Sequence, residues 1–268
     1  MPRIFGHAHL SSIETPLLFS LMLTLYGFIR GLRSPGWAAA CGVSFGLLLA
    51  PKINAFFMIP PLLVWGQLFA RRKYINTVFA CLTLGPLCFV LFWPWLWHDT
   101  PVRILEYLRF HATHQQTALW FLGQKWGYGS QNAPWFYPSV MLGVTLPLGV
   151  LFLSALGIVL GVIRARRRKL PLLILLVGLT MWGVASAPST PKYDGVRLFL
   201  PVFPCVALMA GGGAAGILAL TRWSARKRGI ARQEATVLAC LMVFALAAEG
   251  AWGVSLVHPF VLSYFNPI

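Results

Sequence analysis

The residues able to do ionic or acid–base chemistry in this chain gather in a few short polar stretches, each beside a long apolar run. Glu14 lies in "HLSSIETPLLF", Lys52 and Asn54 in "LLLAPKINAFFMIPP", and Lys192, Tyr193, Asp194 and Arg197 in "APSTPKYDGVRLFLPVFP". A carboxylate can take a proton from a hydroxyl as general base. Arg grips a phosphate with two parallel donors, and Lys adds a point charge. Together these side chains are the parts of a site that handles an anionic molecule at a membrane surface. Each also has a plainer reading. Glu14 suits the start of a helix, with Ser11, Ser12 or Thr15 capping and Pro16 in the first turn. Lys52 can snorkel from a helix end to water. Asp194 and Arg197 can pair with each other and anchor the span that follows.

Histidines form the second group. His7 and His9 are one residue apart, and His111 and His114 are three apart on an expected helix. With Glu14 or Asp99 they have the ligand chemistry for Zn²⁺ or Mn²⁺. The chain has no HExxH or related spacing, so the expectation is no metal and no other cofactor. Cys41, Cys81, Cys88, Cys205 and Cys240 all fall inside apolar runs and read as small packing residues. Glu249, alone in "FALAAEGAWGV", is a costly acid at mid-span depth and keeps a transporter reading open.

The elements that must hold these residues are membrane helices. The 268 residues are 58% hydrophobic and only 10% charged, against about 25% charged in a soluble domain. Mean hydropathy is +0.72. Apolar windows at 16–30, 36–50, 53–70, 75–97, 137–163, 170–187, 198–221 and 235–257 predict an all-α integral membrane protein. The expected form is one polytopic bundle of about eight transmembrane helices covering residues 1–268.

The net charge of +16 would point to nucleic acid in a soluble protein. Here the cations sit in short loops, and no nucleic-acid partner is expected. Loops after the first, third, fifth and seventh windows hold 15 of the 22 Lys and Arg residues. The positive-inside rule makes that face cytoplasmic. All six histidines, with Glu14, Asp99, Glu106 and Asp194, then fall on the other face, where any chemistry is expected.

The one large loop, 98–136, belongs to that outer face. It follows the tryptophans of "FWPWLWHDTPVRILEYLRFHATHQQT". Asp99 or Thr100 can cap a helix there, with Pro101 in its first turn. Val102, Leu105, Leu108 and Phe110 are assigned mostly to one side and Arg103, Glu106 and Arg109 to the other, as in a helix lying on the bilayer. "WFLGQKWGYGSQNAPWFYP" reads as a turn-rich segment anchored at headgroup level.

In order, "PRIFGHAHLSSIETPLLF", "APKINAFFMIPPLLVW", "WPWLWHDTPVRILEYLRFH", "PWFYPSVMLGVTLPL" and "PKYDGVRLFLPVFP" resemble bacterial membrane glycosyltransferases of the GT-C class. The nearest resemblance is to the group related to dolichyl-phosphate-mannose–protein mannosyltransferases and lipid A aminoarabinose transferases. The resemblance implies a multi-span helical fold in the bacterial inner membrane. It implies transfer of a sugar from a polyprenyl-phosphate carrier to a lipid, glycan or protein acceptor on the extracytoplasmic face. Glu14 takes the place of an Asp at the start of a span near the active cavity and is the catalytic candidate, orienting the acceptor as the local base, ahead of Asp99 and Asp194. Lys52, Asn54, Lys192, Tyr193, Asp194 and Arg197 fall where carrier-phosphate or substrate contacts are expected, with His7, His9, Asp99 and His111 as outer-loop contacts. The resemblance also implies further spans before "PRIF" and an Asp-Asp or Asp-Glu pair in the first outer loop, and nothing in residues 1–13 is acidic. The expectation is therefore a fragment carrying the carrier-binding part. The alternative is a non-catalytic membrane subunit or truncated remnant, ahead of a transporter.

Overall fold

In the computed structural model, residues 1–10, 13–113, 117–127 and 132–267 are described. The fold is helical almost throughout. In chain order the helices are α1 (Pro2–Ala8), α2 (Glu14–Gly31), α3 (Pro35–Leu49), α4 (Ile59–Trp65), α5 (Ile75–Phe92), α6 (Thr100–Ala112), α7 (Tyr137–Thr145), α8 (Leu148–Ile163), α9 (Leu170–Ser186), α10 (Val202–Lys227) and α11 (Arg232–Val257). A two-stranded antiparallel hairpin, β1 (Leu119–Phe121) and β2 (Gln124–Trp126), interrupts the 98–136 loop. Its turn uses Leu122 and Gly123 at φ 50° and 74°, the left-handed pair that matches the twist of a tight hairpin.

Each of the eight apolar windows lies on helix, but among the described residues three helices are long and apolar enough to cross a membrane. These are Ile53–Phe92, Val202–Lys227 and Arg232–Val257; a fourth counts if α7 and α8, bent by 118°, form one broken span. The expectation of about eight spans is corrected for physical reasons. Helix α3 has 15 residues and α9 has 17; at 1.5 Å per residue α3 is about 22 Å long, short of a hydrocarbon core of about 30 Å. Helix α2 dilutes its apolar run with Glu14 and Arg30. The windows at 53–70 and 75–97 fall in one contiguous helical stretch, Ile53–Phe92, which reverses direction at Arg71.

The chain divides into two compact units. One comprises residues 12–138 and 179–201 and is built on α2, α3 and α5. Gly27 lies against Cys41, Thr24 Oγ1 donates to Ser44 Oγ at 3.1 Å, and Gly31 meets Ala38, so α2 and α3 are antiparallel. Cys41 meets Cys81, Gly42 meets Ala80, and Gly46 meets Gly85 and Cys88, so α3 and α5 run parallel. Glycines four apart (27 and 31, 42 and 46) let these backbones approach closely, as in membrane helix pairs. A parallel pair requires the chain to return between them. It does so through α4, a π-turn at Gly66–Ala70 and a reversal at Arg71, φ 51°, and Trp65 packs edge-on to Phe28 near the end of α2. The start of α2, the end of α3 and the end of α5 therefore share one end of this unit. Arg30, Arg33, Arg71, Arg72 and Lys73 share the other.

Helix α6 folds back on the last turn of α5. Tyr107 packs on Phe89 and Trp93, and His111 packs on Tyr107. The Arg103 guanidinium lies over the Trp95 ring and donates to the Trp95 carbonyl. This corrects the assignment of Arg103 to an outward polar face: Arg103, Ile104, Tyr107 and His111 form the packed side, while Val102, Leu105, Leu108 and Phe110 are exposed together with Glu106 and Arg109. The expected caps also differ. Asp99 takes the N-cap position at φ 49° with no side-chain cap, and Thr100 Oγ1 donates back to the Leu96 carbonyl at 2.6 Å.

The other unit comprises residues 1–11, 139–178 and 202–268. Its centre is the pairing of α8 with α10, where Leu153, Ala210, Ile217 and Ala239 of α11 form a buried cluster. A Cβ on Gly157 would fall on the Met209 carbonyl, and one on Gly213 on the Leu153 carbonyl. The start of α8 is held by Glu249 of α11, whose Oε2 accepts from the Gly149 N–H at 3.2 Å while Tyr264 Oη donates to Oε1 at 3.5 Å. The acid that suggested an ion path thus caps a helix, where the dipole favours negative charge. Helix α1 packs on α11 and the chain's last segment: Arg3 Nε donates to the Tyr264 carbonyl at 3.0 Å, and its guanidinium lies over Phe265.

Candidate functional site

Three segments far apart in sequence meet at the Glu14 end of the α2–α3–α5 unit. Glu14, in the first turn of α2, is 1% exposed. Its Oε1 accepts from Arg197 Nε at 2.6 Å and lies 3.6 Å from Lys52 Nζ. Lys52 Nζ also donates to the Arg197 carbonyl at 3.2 Å, so the lysine holds both the acid and the backbone that carries the arginine. Arg197 Nη1 reaches Asp194 Oδ2 at 3.3 Å. The cluster runs from buried Glu14 outward to Arg197, whose side chain is 40% exposed, and Asp194 at 55%. Arg197 Nη2 donates to no partner among the described residues.

Local backbone explains the placement of Arg197. Asp194 and Gly195 take φ of 54° and 64° in succession, turning the chain so that the Arg197 N–H reaches the Asp194 carbonyl at 3.2 Å. A residue without Cβ suits the second of these positions. Tyr137 braces the turn: its Oη donates to the Gly195 carbonyl at 3.1 Å while its ring packs between Phe121 and Phe199. The hairpin of the 98–136 loop is thereby connected to the cluster.

The electrostatics follow from burial and pairing. Burial pushes the Lys52 ammonium below its ordinary value; neighbouring Glu14 partly offsets this and Arg197 adds to it. The hydrogen bond to Glu14 holds Arg197 above the usual arginine value. Burial raises the Tyr193 phenol, and Asp194 raises it further. A proton placed on Glu14 Oε1 would break contacts to two cations, so the carboxylate is suited to positioning Lys52 and Arg197. Arg197 and Lys52 are suited to an incoming anion.

The other sequence candidates are distributed as follows. Lys192 is 2% exposed and donates to the carbonyls of Ala187 and Thr190 at 2.7 and 3.0 Å, closing the chain after α9. Asn54 is half-buried in the turn Ile53–Met58, two residues beyond Lys52. Asp99 marks the entry to α6, and His111 is part of that helix's ring stack. His7 lies on α1 and His9 just past its end, in the other unit, with His9 Nδ1 2.7 Å from the Phe5 carbonyl. His114, Ser11 and Ser12 lie outside the described residues. Among the described residues no three His, Cys, Asp or Glu side chains converge as a metal site. Tyr137 was not foreseen; its partner is 58 positions away, and no local pattern announces the pairing.

No protein-family profile, curated protein or solved structure matches the chain.

Proposed function

We propose that the Glu14–Lys52–Arg197–Asp194 cluster is the phosphate-handling site of a membrane glycosyltransferase that uses a polyprenyl-phosphate-linked sugar on the extracytoplasmic face of a bacterial inner membrane. The observation that carries this reading is the convergence of Lys52 and Arg197 on a buried carboxylate, with Arg197 donors left facing outward. In the reaction the acceptor oxygen bonds to the anomeric carbon. The bond from that carbon to the carrier phosphate oxygen breaks, and the phosphate leaves with the electron pair. Arg197 and Lys52 meet that developing charge. The acceptor hydroxyl's proton passes to a carboxylate; Asp194, exposed beside Arg197, is the one placed to receive it. Glu14 positions both cations. The reading requires no cofactor, and the acceptor is a lipid, glycan or protein.

A second reading has its own observation. The 2.6 Å contact between Glu14 and Arg197 is also what a purely structural clamp would contain, in a non-catalytic membrane subunit. One experiment separates the two. The purified chain is reconstituted in liposomes with a radiolabelled sugar on a polyprenyl-phosphate carrier, and carrier binding and sugar release are both measured. Transfer lost in Asp194→Asn, with carrier binding about tenfold or more weaker in Arg197→Gln, supports the enzyme. Absence of both binding and transfer in the wild-type chain leaves the clamp.

A further inference from the structure

Outside this site, a second cluster of charge lies at the turn between α10 and α11, two of the three helices that meet the length and hydropathy needed to span a bilayer. Arg222, Arg226, Lys227, Arg228 and Arg232 lie within eleven residues, with Glu234 the one nearby acid. None of the five forms an ion pair among the described residues. Arg222 Nε donates to Thr236 Oγ1 at 3.0 Å, and Lys227 Nζ lies 3.9 Å from the centre of the exposed Trp223 ring. The positive-inside rule asks for charge here. It does not ask for the concavity beside Arg228.

Two adjoining depressions share Glu234 and Leu238. The first, about 280 Å³, has a mainly apolar wall that includes Ala225, Ile230 and Ala235, with Arg228 and Glu234 as its charged lining residues. The second, about 550 Å³, runs along α11 over Val237, Leu238 and Leu241. Gly229, at φ 70°, ends α10 by letting the Ile230 N–H return to the Ala225 carbonyl at 2.9 Å, which sets Arg228 at the mouth of the first depression. A largely apolar cleft with Arg228 at its edge, continuing into an apolar groove on α11 beside four further cations, has the two-part chemistry of a phospholipid.

We propose that this turn binds an anionic phospholipid of the surrounding leaflet, its phosphate held by Arg228 and the neighbouring cations and one acyl chain lying along Val237, Leu238 and Leu241. The assignment is independent of the proposed catalytic site. Basic residues beside a membrane contribute enough that each removed charge weakens an anionic lipid about fivefold. The full chain in neutral detergent is titrated with brominated phosphatidylglycerol or brominated phosphatidylcholine, and quenching of tryptophan fluorescence is followed, with Trp223→Phe isolating the Trp223 signal. The expected result is preferential quenching of Trp223 by phosphatidylglycerol. It weakens about fivefold in Arg228→Gln and further in Arg226→Gln/Arg228→Gln, while Leu238→Trp creates a new quenched signal from the acyl chain. Equal quenching by the two lipids overturns the proposal, as does unchanged affinity in the double variant with wild-type thermal stability. Inorganic phosphate that displaces the lipid at equal concentration overturns the lipid assignment in favour of a free-phosphate site.

Discussion

Glu14 is the residue on which the candidate site depends, and its environment makes a direct prediction. Burying a carboxylate is costly unless it is paired. Replacing it with Leu leaves Lys52 without its carboxylate and Arg197 with only the exposed Asp194 as counter-charge, so Glu14→Leu is expected to lower stability. A fully buried pair would cost about 3–5 kcal/mol when broken; the partial exposure of Arg197 reduces this to roughly 2 kcal/mol, read by thermal unfolding in detergent. Lys52 supplies a pH test. Its folded-state value lies below the ordinary 10.5, so in the window just below 10.5 the unfolded chain binds more protons than the folded one, and stability rises with pH. The unfolding free energy of wild type minus that of Lys52→Met should therefore shift in favour of wild type as pH rises toward 10.5. A flat difference would mean that Lys52 is not desolvated. Burial pushes the Tyr107 phenol, orphaned among the described residues, up to about 12, so Tyr107→Phe should preserve or slightly raise stability.

Helix pairing is governed by glycines. On α8 and α10, Gly157 and Gly213 meet backbone carbonyls directly, and a larger side chain must push the helices apart. Gly157→Val is expected to cost about 1–3 kcal/mol or more, while Gly211→Ala, which meets nothing within 4 Å, should change stability by no more than about 1 kcal/mol. Parallel thermal melts of the two variants test the assignment. The pairs at 27/31 and 42/46 are legible as GxxxG patterns in the sequence, yet the pattern alone does not say which helix each faces. Helix α6 shows the same limit from another side. Its composition correctly indicates a short helix with exposed apolar residues, but the packed face is set by Phe89 and Trp93 of α5 and Trp95, which no periodicity within α6 reveals.

At the scale of the molecule, the apolar helices support a membrane protein with three, or counting the bent pair four, candidate spans among the described residues. Within the α2–α3–α5 unit the antiparallel and parallel pairings put Arg33 and the α5–α6 junction at opposite ends. In a cysteine-free background, cysteines replacing Arg33 and His98 should accordingly react with a membrane-impermeant thiol reagent from opposite faces of sealed vesicles. Labelling of both from one face would overturn the helix alternation.

The sequence by itself determined what depends on composition and near neighbours: helical class, membrane character, clustering of cations in alternating connections, and the polar stretches that hold Glu14, Lys52 and Arg197. Hydropathy and short-range pattern report those properties because each arises from a residue and its immediate neighbours. Only the tertiary structure decided that Glu14 and Arg197, 183 positions apart, share a hydrogen bond. It also decided that Glu249 caps α8, 100 positions away. These outcomes rest on which helix faces meet, and on the need of each buried polar group for a partner. A partner 100 or more residues away leaves no trace in the local sequence.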